Sequence, residues 1–157
     1  MNTMFDLQQY ALQELKDTYT EHEIKVLCSL SFCKLLHYTN IDIHLKKHEF
    51  LAKSFIDKFV QIVEELKTDK PIQYILGETE FAGIDFQLNS ETLIPRPETE
   101  ELVMWIVESG VQPGTSVLDI GTGSGCIIVS LGKLLKGVRL CGVDISPEAV
   151  EQAANNA

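Results

Sequence analysis

The stretch Asp119-Ile120-Gly121-Thr122-Gly123-Ser124-Gly125 decides the fold of this chain. It follows a short β-prone run at 115–120 and precedes an apolar run at 126–135 that is typical of a helix. A second apolar strand is expected at 138–143, and it ends at Asp144. Strand, glycine loop, helix, strand and acid follow one another in the order of a parallel α/β nucleotide-binding unit.

The glycine loop and Asp144 have the chemistry of an adenosine site. Glycines allow positive φ angles and let a ligand approach the backbone without a β-carbon in the way. Asp144 comes 19 residues after Gly125, at the end of the following strand, where a carboxylate can accept hydrogen bonds from ribose hydroxyls. With strand, helix and acid all in place, we interpret the loop as a cofactor site rather than only a tight turn.

The glycine spacing separates the candidate cofactors. The dinucleotide fingerprint G-x-G-x-x-G needs a third glycine at position 126, where the sequence has Cys126. The chain also lacks the G-x-x-x-x-G-K-[ST] pattern of a P-loop. Both NAD and a P-loop nucleotide are therefore disfavoured.

The region before the loop divides into a helical part and a hairpin. Apolar residues recur at helical spacing from 6 to about 67, which predicts three or four helices, and Thr20-x-x-Glu23 has the form of a capping box at the second. Phe32, Phe55 and Phe59 are expected in the core of that part. After Pro71, apolar and polar residues alternate at 84–88 behind Ala82-Gly83, as in a β-hairpin.

Charge changes at the same place. Residues 1–70 carry 9 Lys and 11 acidic residues (net −2), whereas 71–157 carry 4 Lys or Arg and 12 acidic residues (net −8). We therefore predict a helical domain at 1–70, a hairpin linker at 71–92 and an α/β domain at 93–157. Pro97 is expected to open a helix that Gly110 stops, and Ser146-Pro147 to open the last helix.

Composition narrows the class of protein. Hydrophobic residues make up 45% and charged residues 23%, which is usual for a folded globular chain. The net charge of −10 argues against direct nucleic-acid binding. No apolar run approaches the roughly 18–20 residues that span a bilayer, and no signal peptide is evident at the start, so we expect no membrane contact and a cytoplasmic location.

Cysteine and histidine spacing predicts no metal site. Cys28, Cys33, Cys126 and Cys141 form no C-x-x-C pair and are expected to be buried, reduced thiols. His44 and His48 stand four residues apart but lack a third ligand, so we interpret them as part of a solvated helix face.

Five short segments carry a family resemblance. They are P-x-Q-Y-I-L-G at 71–77, F-x-G-x-x-F at 81–86, L-I-P-R-P-E-T-E at 93–100, L-D-I-G-T-G-S-G at 118–125 and G-V-D-I-S at 142–146. The series resembles the bacterial and organellar release factor glutamine methyltransferases, which use S-adenosylmethionine (SAM). The resemblance is close over 71–157, whereas 1–70 matches only as a helical region of the right length and place.

The resemblance implies a fold and a reaction. The fold is α/β, with an N-terminal helical bundle joined by a β-hairpin to the first part of a class I SAM-dependent methyltransferase domain, which is Rossmann-like. The reaction is methyl transfer to the glutamine of the Gly-Gly-Gln loop of peptide chain release factors, with SAM as cofactor and the release factor as protein partner. The helical domain at 1–70 is then the part expected to recognise the release factor.

The same resemblance implies roles for single residues. The cofactor would be lined by Gly121, Thr122, Gly123, Ser124 and Gly125. Asp144 would hold its ribose, and Asp119 would orient the loop. A further set, Arg96, Pro97, Glu98 and Thr99, would close over the cofactor side. The hairpin around Phe81 would border the substrate entrance.

No catalytic residue can be assigned within 1–157. The family's Asn-Pro-Pro-Tyr segment, which orients the glutamine amide, follows the fourth strand and does not occur here. We therefore expect this truncated chain to be inactive by itself. Two alternatives stay open: a noncatalytic protein-binding module with an α/β remnant, and another Asn-Pro-Pro-Tyr methyltransferase that acts on a ribosomal protein or on DNA adenine.

Overall fold

The structure is a computed structural model that describes residues 1–157. It divides into two compact units, Met1–Leu76 and Gly77–Ala157. The division falls at Leu76 rather than at residue 70, because a short helix, α5 (Ile72–Leu76), belongs to the first unit. Its Ile72 side chain is buried in the core of that unit.

The first unit is a helical bundle, as predicted. Its four longer helices are α1 (Met4–Leu15), α2 (Glu21–Leu36), α3 (Asn40–Lys46) and α4 (Lys53–Leu66). The core comes mainly from α1, α2 and α4, whose apolar residues recur on one face of each helix.

Threonine capping boxes begin three of these helices. The hydroxyls of Thr3, Thr20 and Thr39 each accept the backbone N–H three residues on, and the acid at that position bonds back to the threonine N–H. The box at Thr20 confirms the prediction, whereas the other two were not predicted. At α3 the bonds from the Thr39 hydroxyl and N–H lower the pKa of Asp42 to about 2.

Aromatic rings fill the centre of the bundle. The rings of Phe32 and Phe59 stack with centroids 5.0 Å apart, and the ring of Phe55 lies 6.1 Å from that of Phe32. All three side chains are buried. The prediction that they form a core is confirmed.

The second unit begins with the predicted β-hairpin, formed by β1 (Glu78–Phe81) and β2 (Ile84–Gln87). Ala82 and Gly83 connect the antiparallel strands with φ angles of 51° and 73°, the conformation that a two-residue type I′ turn requires. The hairpin is part of the unit's core rather than a free linker, because Phe81 and Phe86 are almost fully buried in it.

The rest of the second unit confirms the predicted α/β order. It consists of α6 (Pro97–Glu108), β3 (Ser116–Ile120), α7 (Cys126–Leu134), β4 (Arg139–Val143) and α8 (Pro147–Asn156). Strands β3 and β4 pair in parallel, with Ser116 opposite Arg139 and Ile120 opposite Val143. They form, with α7 between them, a βαβ unit. None of the eight helices combines the length and apolarity needed to cross a bilayer.

Helices cover only one face of the two-stranded sheet. Leu140 packs against the core, while Ile120 on the opposite face is 79% exposed. Cys141 is also exposed on that open face, so the prediction that every cysteine is buried is wrong.

Cys28 is buried, and burial raises the pKa of its thiol to about 12. Cys33 and Cys126 are partly exposed, and all four thiols are free.

Candidate cofactor-binding site

The glycine loop is anchored to the end of β4. The N–H groups of Gly121 and Thr122 both donate to the carbonyl oxygen of Val143, at 2.8 and 3.0 Å. Because β3 and β4 are parallel, their carboxyl ends meet at one edge of the sheet. The loop that leaves β3 therefore lies beside Asp144, which follows β4.

Asp144 is hydrogen-bonded to the loop through one of its two oxygens. The Gly123 N–H donates to Oδ2 at 2.8 Å, and the Ser146 N–H donates to Oδ1 at 3.0 Å. Both bonds lower the pKa of the Asp144 carboxyl, and the bond from Ser146 has the larger effect. An ionised carboxylate has about four acceptor positions, so each oxygen keeps capacity for a ligand hydroxyl.

A second aspartate contacts the loop from the end of β3. The Thr122 hydroxyl donates to Oδ2 of Asp119 at 2.8 Å. This places the Thr122 side chain against β4, where a β-carbon on Gly142 would lie only 2.8 Å from Thr122 Oγ1. Glycine at 142 thus makes room for the Thr122–Asp119 contact, a requirement that the sequence motif alone did not indicate.

The three loop glycines differ in what surrounds them. Gly121, Gly123 and Gly125 have φ angles of 79°, 54° and 79°, so all three adopt the left-handed conformation. A β-carbon on Gly121 or Gly123 would meet nothing within 4 Å, whereas one on Gly125 would lie 3.0 Å from Ala153 Cβ. The first two glycines therefore face open space, and the Gly125 side of the loop packs against α8.

Most of the loop's N–H groups are already used within the protein. Gly121 and Thr122 donate to Val143, Gly123 donates to Asp144, and the Gly125 N–H donates to the Thr122 carbonyl at 2.8 Å. A phosphate cradle needs N–H groups that are free to bind oxygen. Together with two neighbouring carboxylates, Asp119 and Asp144, this arrangement favours a ligand that is neutral or cationic at the loop over a phosphate.

Ser124 has a buried hydroxyl in the glycine loop. The residue is 2% exposed, and its Oγ contacts the Cys126 thiol, a contact that opposes the rise in the Cys126 pKa caused by burial. Buried hydroxyls nearly always have a partner. Ser130, in the interior of α7, has a buried hydroxyl of the same kind, so the Ser124 hydroxyl does not by itself mark a cofactor site.

The motif residues before α6 are not brought into contact with the loop. Arg96 and Pro97 form the exposed start of α6, and Pro97 is its first residue. No hydrogen bond or ion pair joins Arg96, Glu98 or Thr99 to residues 121–125. Their role over the cofactor stays a prediction.

The Phe81 side chain is buried in the core of the second unit. Its side chain is 1% exposed and packs edge-to-face on Phe86, with ring centroids 6.0 Å apart. That the hairpin around it borders the substrate entrance stays a prediction. The F-x-G-x-x-F spacing brings both rings to the buried face of the hairpin. Phe81 is paired with Ile84 across the two-residue turn, and Phe86 lies two residues beyond Ile84, so its side chain points to the same face.

One residue of the site was missed entirely. The side chain of Asn156 donates to the carbonyl oxygens of Ser124 and Gln87, at 2.9 and 3.0 Å, and accepts the Gln87 N–H at 2.9 Å. These partners are distant in sequence, so no local pattern could indicate the contact.

A cavity lies beside the loop rather than at its ligand-facing side. It measures about 440 Å³ between α7, β4 and α8, and Thr122 is the only loop residue that lines it. Most of its wall is alanine, glycine and aliphatic side chain, with Lys133 as the single charged residue. We take the loop as the candidate site, because the cavity lacks the polar groups that orient a ligand.

The histidines form no metal centre. The ring of His48 packs against that of Phe5, with centroids 5.3 Å apart. No group of three His, Cys, Asp or Glu side chains in residues 1–157 is placed to hold a metal ion.

Comparison with known families agrees with this division of the chain. The family model described as the PrmC N-terminal domain matches residues 6–77, and one described as a methyltransferase domain matches residues 111–157. The first match coincides closely with the helical unit. The second begins just before β3 and includes the glycine loop and Asp144.

The most similar relatives include several proteins named release factor glutamine methyltransferase. The chain is 39% identical to that of Flavobacterium psychrophilum over 150 residues, which is 93% of this chain and 53% of the relative. It is 41% identical to that of Bacteroides thetaiotaomicron over 147 residues (94% and 52%), and 34% identical to that of Nitratidesulfovibrio vulgaris over 155 residues (99% and 52%). The chain spans about half the length of the curated relatives it matches.

The α/β fold, the glycine loop and the match to a methyltransferase domain model together place the second unit in the methyltransferase class. The reactions of this class require a methyl donor. The helical unit makes the placement more specific. With the PrmC N-terminal domain model over residues 6–77, nearly the whole chain is similar to the release factor glutamine methyltransferases.

Proposed function

We propose that residues 77–157 form the SAM-binding part of an enzyme that methylates the side-chain amide of glutamine in the Gly-Gly-Gln loop of peptide chain release factors. One observation carries the proposal. A glycine loop whose open side faces no protein atoms is bonded directly to Asp144, an acid with acceptor capacity to spare. The names of the relatives supply the substrate.

The groups at the loop fit SAM better than a phosphate-bearing cofactor. Asp144 would accept the ribose hydroxyls with the lone pairs that Gly123 and Ser146 leave unused. SAM carries a sulfonium, an ammonium and a carboxylate group and no phosphate, so its net charge is positive. The bonded loop N–H groups and the two carboxylates, Asp119 and Asp144, suit such a ligand. When bound, SAM supplies an electrophilic methyl group.

The residues of this chain position the cofactor. Hydrogen bonds attach the loop to both strand ends: Asp119 accepts one from Thr122, Val143 accepts two from Gly121 and Thr122, and Asp144 accepts one from Gly123. The loop is therefore fixed before a ligand arrives. Such preorganisation lowers the cost of binding. It also fixes the direction from which a methyl acceptor must approach.

The acceptor side of the reaction needs groups beyond those at the loop. An amide nitrogen is a weak nucleophile because its lone pair is delocalised, so acceptors must orient it and take its proton. We assign no residue of 1–157 to that task. Residues 1–157 alone are therefore not expected to transfer a methyl group.

The helical unit is proposed to recognise the release factor. The protein would act in the cytoplasm and bind its substrate through protein surface, without direct contact to nucleic acid or membrane. The net charge of −10 supports the exclusion of nucleic acid.

Methyl transfer from radiolabelled SAM tests this function. The assay would use a protein as long as the relatives and, in parallel, residues 1–157. The substrates would be a release factor with Gly-Gly-Gln, the same factor with Gly-Gly-Ala, and an adenine-containing DNA duplex. We expect label only with the full-length protein and the Gly-Gly-Gln factor. Label on the Gly-Gly-Ala factor or on DNA would overturn the assigned substrate.

A further inference from the structure

The side chain of Asn156 joins three segments of the second unit. Its Nδ2 donates to the carbonyl of Ser124 in the glycine loop at 2.9 Å and to the carbonyl of Gln87 at 3.0 Å. Its Oδ1 accepts the Gln87 N–H at 2.9 Å. Because Asn156 is the last residue of α8, the loop, the hairpin strand β2 and this helix meet at one amide group.

These contacts use both donors of the amide and one of the two lone pairs on its oxygen. An asparagine amide has two N–H donors and one oxygen, and here both donors and the oxygen are bonded. Towards Gln87 it acts as a neighbouring strand would, giving one hydrogen bond and receiving one at the edge of β2. The third hydrogen bond, to the Ser124 carbonyl, connects the end of α8 to the glycine loop.

A second contact supports the same attachment. One turn earlier on α8, Gln152 Oε1 accepts a hydrogen bond of 3.0 Å from Asn89 Nδ2, just beyond β2. Gln152 is buried, whereas Asn155, the neighbour of Asn156, is exposed. The α8–β2 contact is therefore built from two amide side chains, and only that of Asn156 extends to the loop.

We propose that Asn156 is a positioning residue for the cofactor loop and couples it to the hairpin. By holding the Ser124 carbonyl, Asn156 fixes the backbone between Gly123 and Gly125, which Asp144 holds from the other side. The role of Asn156 in cofactor binding rests on the proposed SAM site. The coupling between hairpin and loop is independent of that site, since it is a property of the folded unit.

Aspartate at position 156 gives a selective test. Asn156→Asp keeps the acceptor for the Gln87 N–H but places a carboxylate oxygen against two carbonyl oxygens, those of Gln87 and Ser124. Lowering the pH through the pKa of the new carboxyl restores an O–H that can donate to one of them. Asn155→Ala, on the exposed neighbour, is the matched control.

The first readout is amide hydrogen exchange by NMR in residues 1–157. In Asn156→Asp at pH 7, protection factors of the Gly123 and Gly125 amides should fall about tenfold or more, the size expected for one lost hydrogen bond. They should recover as the pH falls, while the Leu131 amide in the core of α7 stays protected throughout. Unchanged loop protection, or an equal fall at Leu131, would overturn the positioning role.

The second readout is SAM affinity in the full-length protein. Asn156→Asp should raise the Kd about tenfold at pH 7 and less at lower pH, with Asn155→Ala unchanged. Wild type that fails to bind SAM, with loop protection lost in Asn156→Asp, would refute the proposed cofactor and leave the coupling standing. Wild type that binds SAM with the same Kd as Asn156→Asp would leave the proposed cofactor standing and refute the positioning role of Asn156 in its binding.

Discussion

The Gly123 N–H and the Asp144 carboxylate are joined by a hydrogen bond of 2.8 Å between positions 21 residues apart. One residue belongs to the loop after β3, and the other follows β4. The acid that would bind a ribose is therefore also the acid that fixes the loop. Loop shape and ligand affinity should respond together to any change at Asp144.

The loop glycines are expected to tolerate alanine unequally. Gly121 and Gly125 share a φ of 79°, so backbone strain is common to both substitutions. Only at Gly125 would the new methyl group meet Ala153, at 3.0 Å. Gly125→Ala should therefore lower the free energy of unfolding by about 1–3 kcal/mol more than Gly121→Ala. Urea denaturation measures the difference, and equal losses would show that α7 and α8 are not packed as described.

The Asp144 carboxyl should stay ionised well into the acid range. Its pKa is lowered in the folded state, so the stability it contributes is present above the unfolded pKa and is lost as the pH falls through the folded pKa. The midpoint should lie below the ordinary aspartate value of about 3.9. NMR titration of the carboxyl carbon, followed with the Gly123 amide shift, gives this midpoint. A midpoint at or above the ordinary value would contradict the two backbone bonds.

The helical unit should depend strongly on Phe59. This ring is 1% exposed and stacks on Phe32, so Phe59→Ala should cost about 3–5 kcal/mol of unfolding free energy. Phe50 is 85% exposed, and Phe50→Ala should cost no more than about 0.5 kcal/mol. Chemical denaturation followed by far-UV circular dichroism compares them. Similar losses for the two variants would exclude the bundle core as described.

Limited proteolysis should first cleave the turn between α4 and α5. Residues 67–71 are exposed there, and Asp69 has a φ of 59°, so this backbone lies outside regular helix. Subtilisin followed by mass spectrometry should give early fragments ending near this turn. Early cuts inside α2 or α4 instead would contradict a packed helical unit.

The sequence predicted the part of the site that local spacing controls. Glycines at fixed positions after a strand, and an acid at the end of the next strand, reveal a parallel βαβ unit because its geometry repeats along the chain. The capping box at Thr20 and the Ala82-Gly83 turn were predicted for the same reason, since each depends on a few neighbouring residues.

The sequence could not predict contacts that depend on packing. Asn156 and Gln87 are 69 positions apart, and only the folded unit brings them together. The motif did not indicate that Phe81 is a core residue, because its burial depends on which face of the hairpin packs against the rest of the unit. Cys141 lies in an apolar strand like a core residue but faces the side of the sheet that no helix covers.

Calorimetric titration with SAM tests the central claim most directly. A protein that spans the full length of the relatives would be compared with Asp144→Ala and with Asp85→Ala, a control on the exposed face of the hairpin. We predict micromolar-to-millimolar affinity for wild type and Asp85→Ala. Asp144→Ala should bind about ten- to a hundredfold more weakly, because it loses charged hydrogen bonds to the ribose. Failure of the wild type to bind SAM, or an Asp144→Ala affinity equal to that of the wild type, would contradict the account.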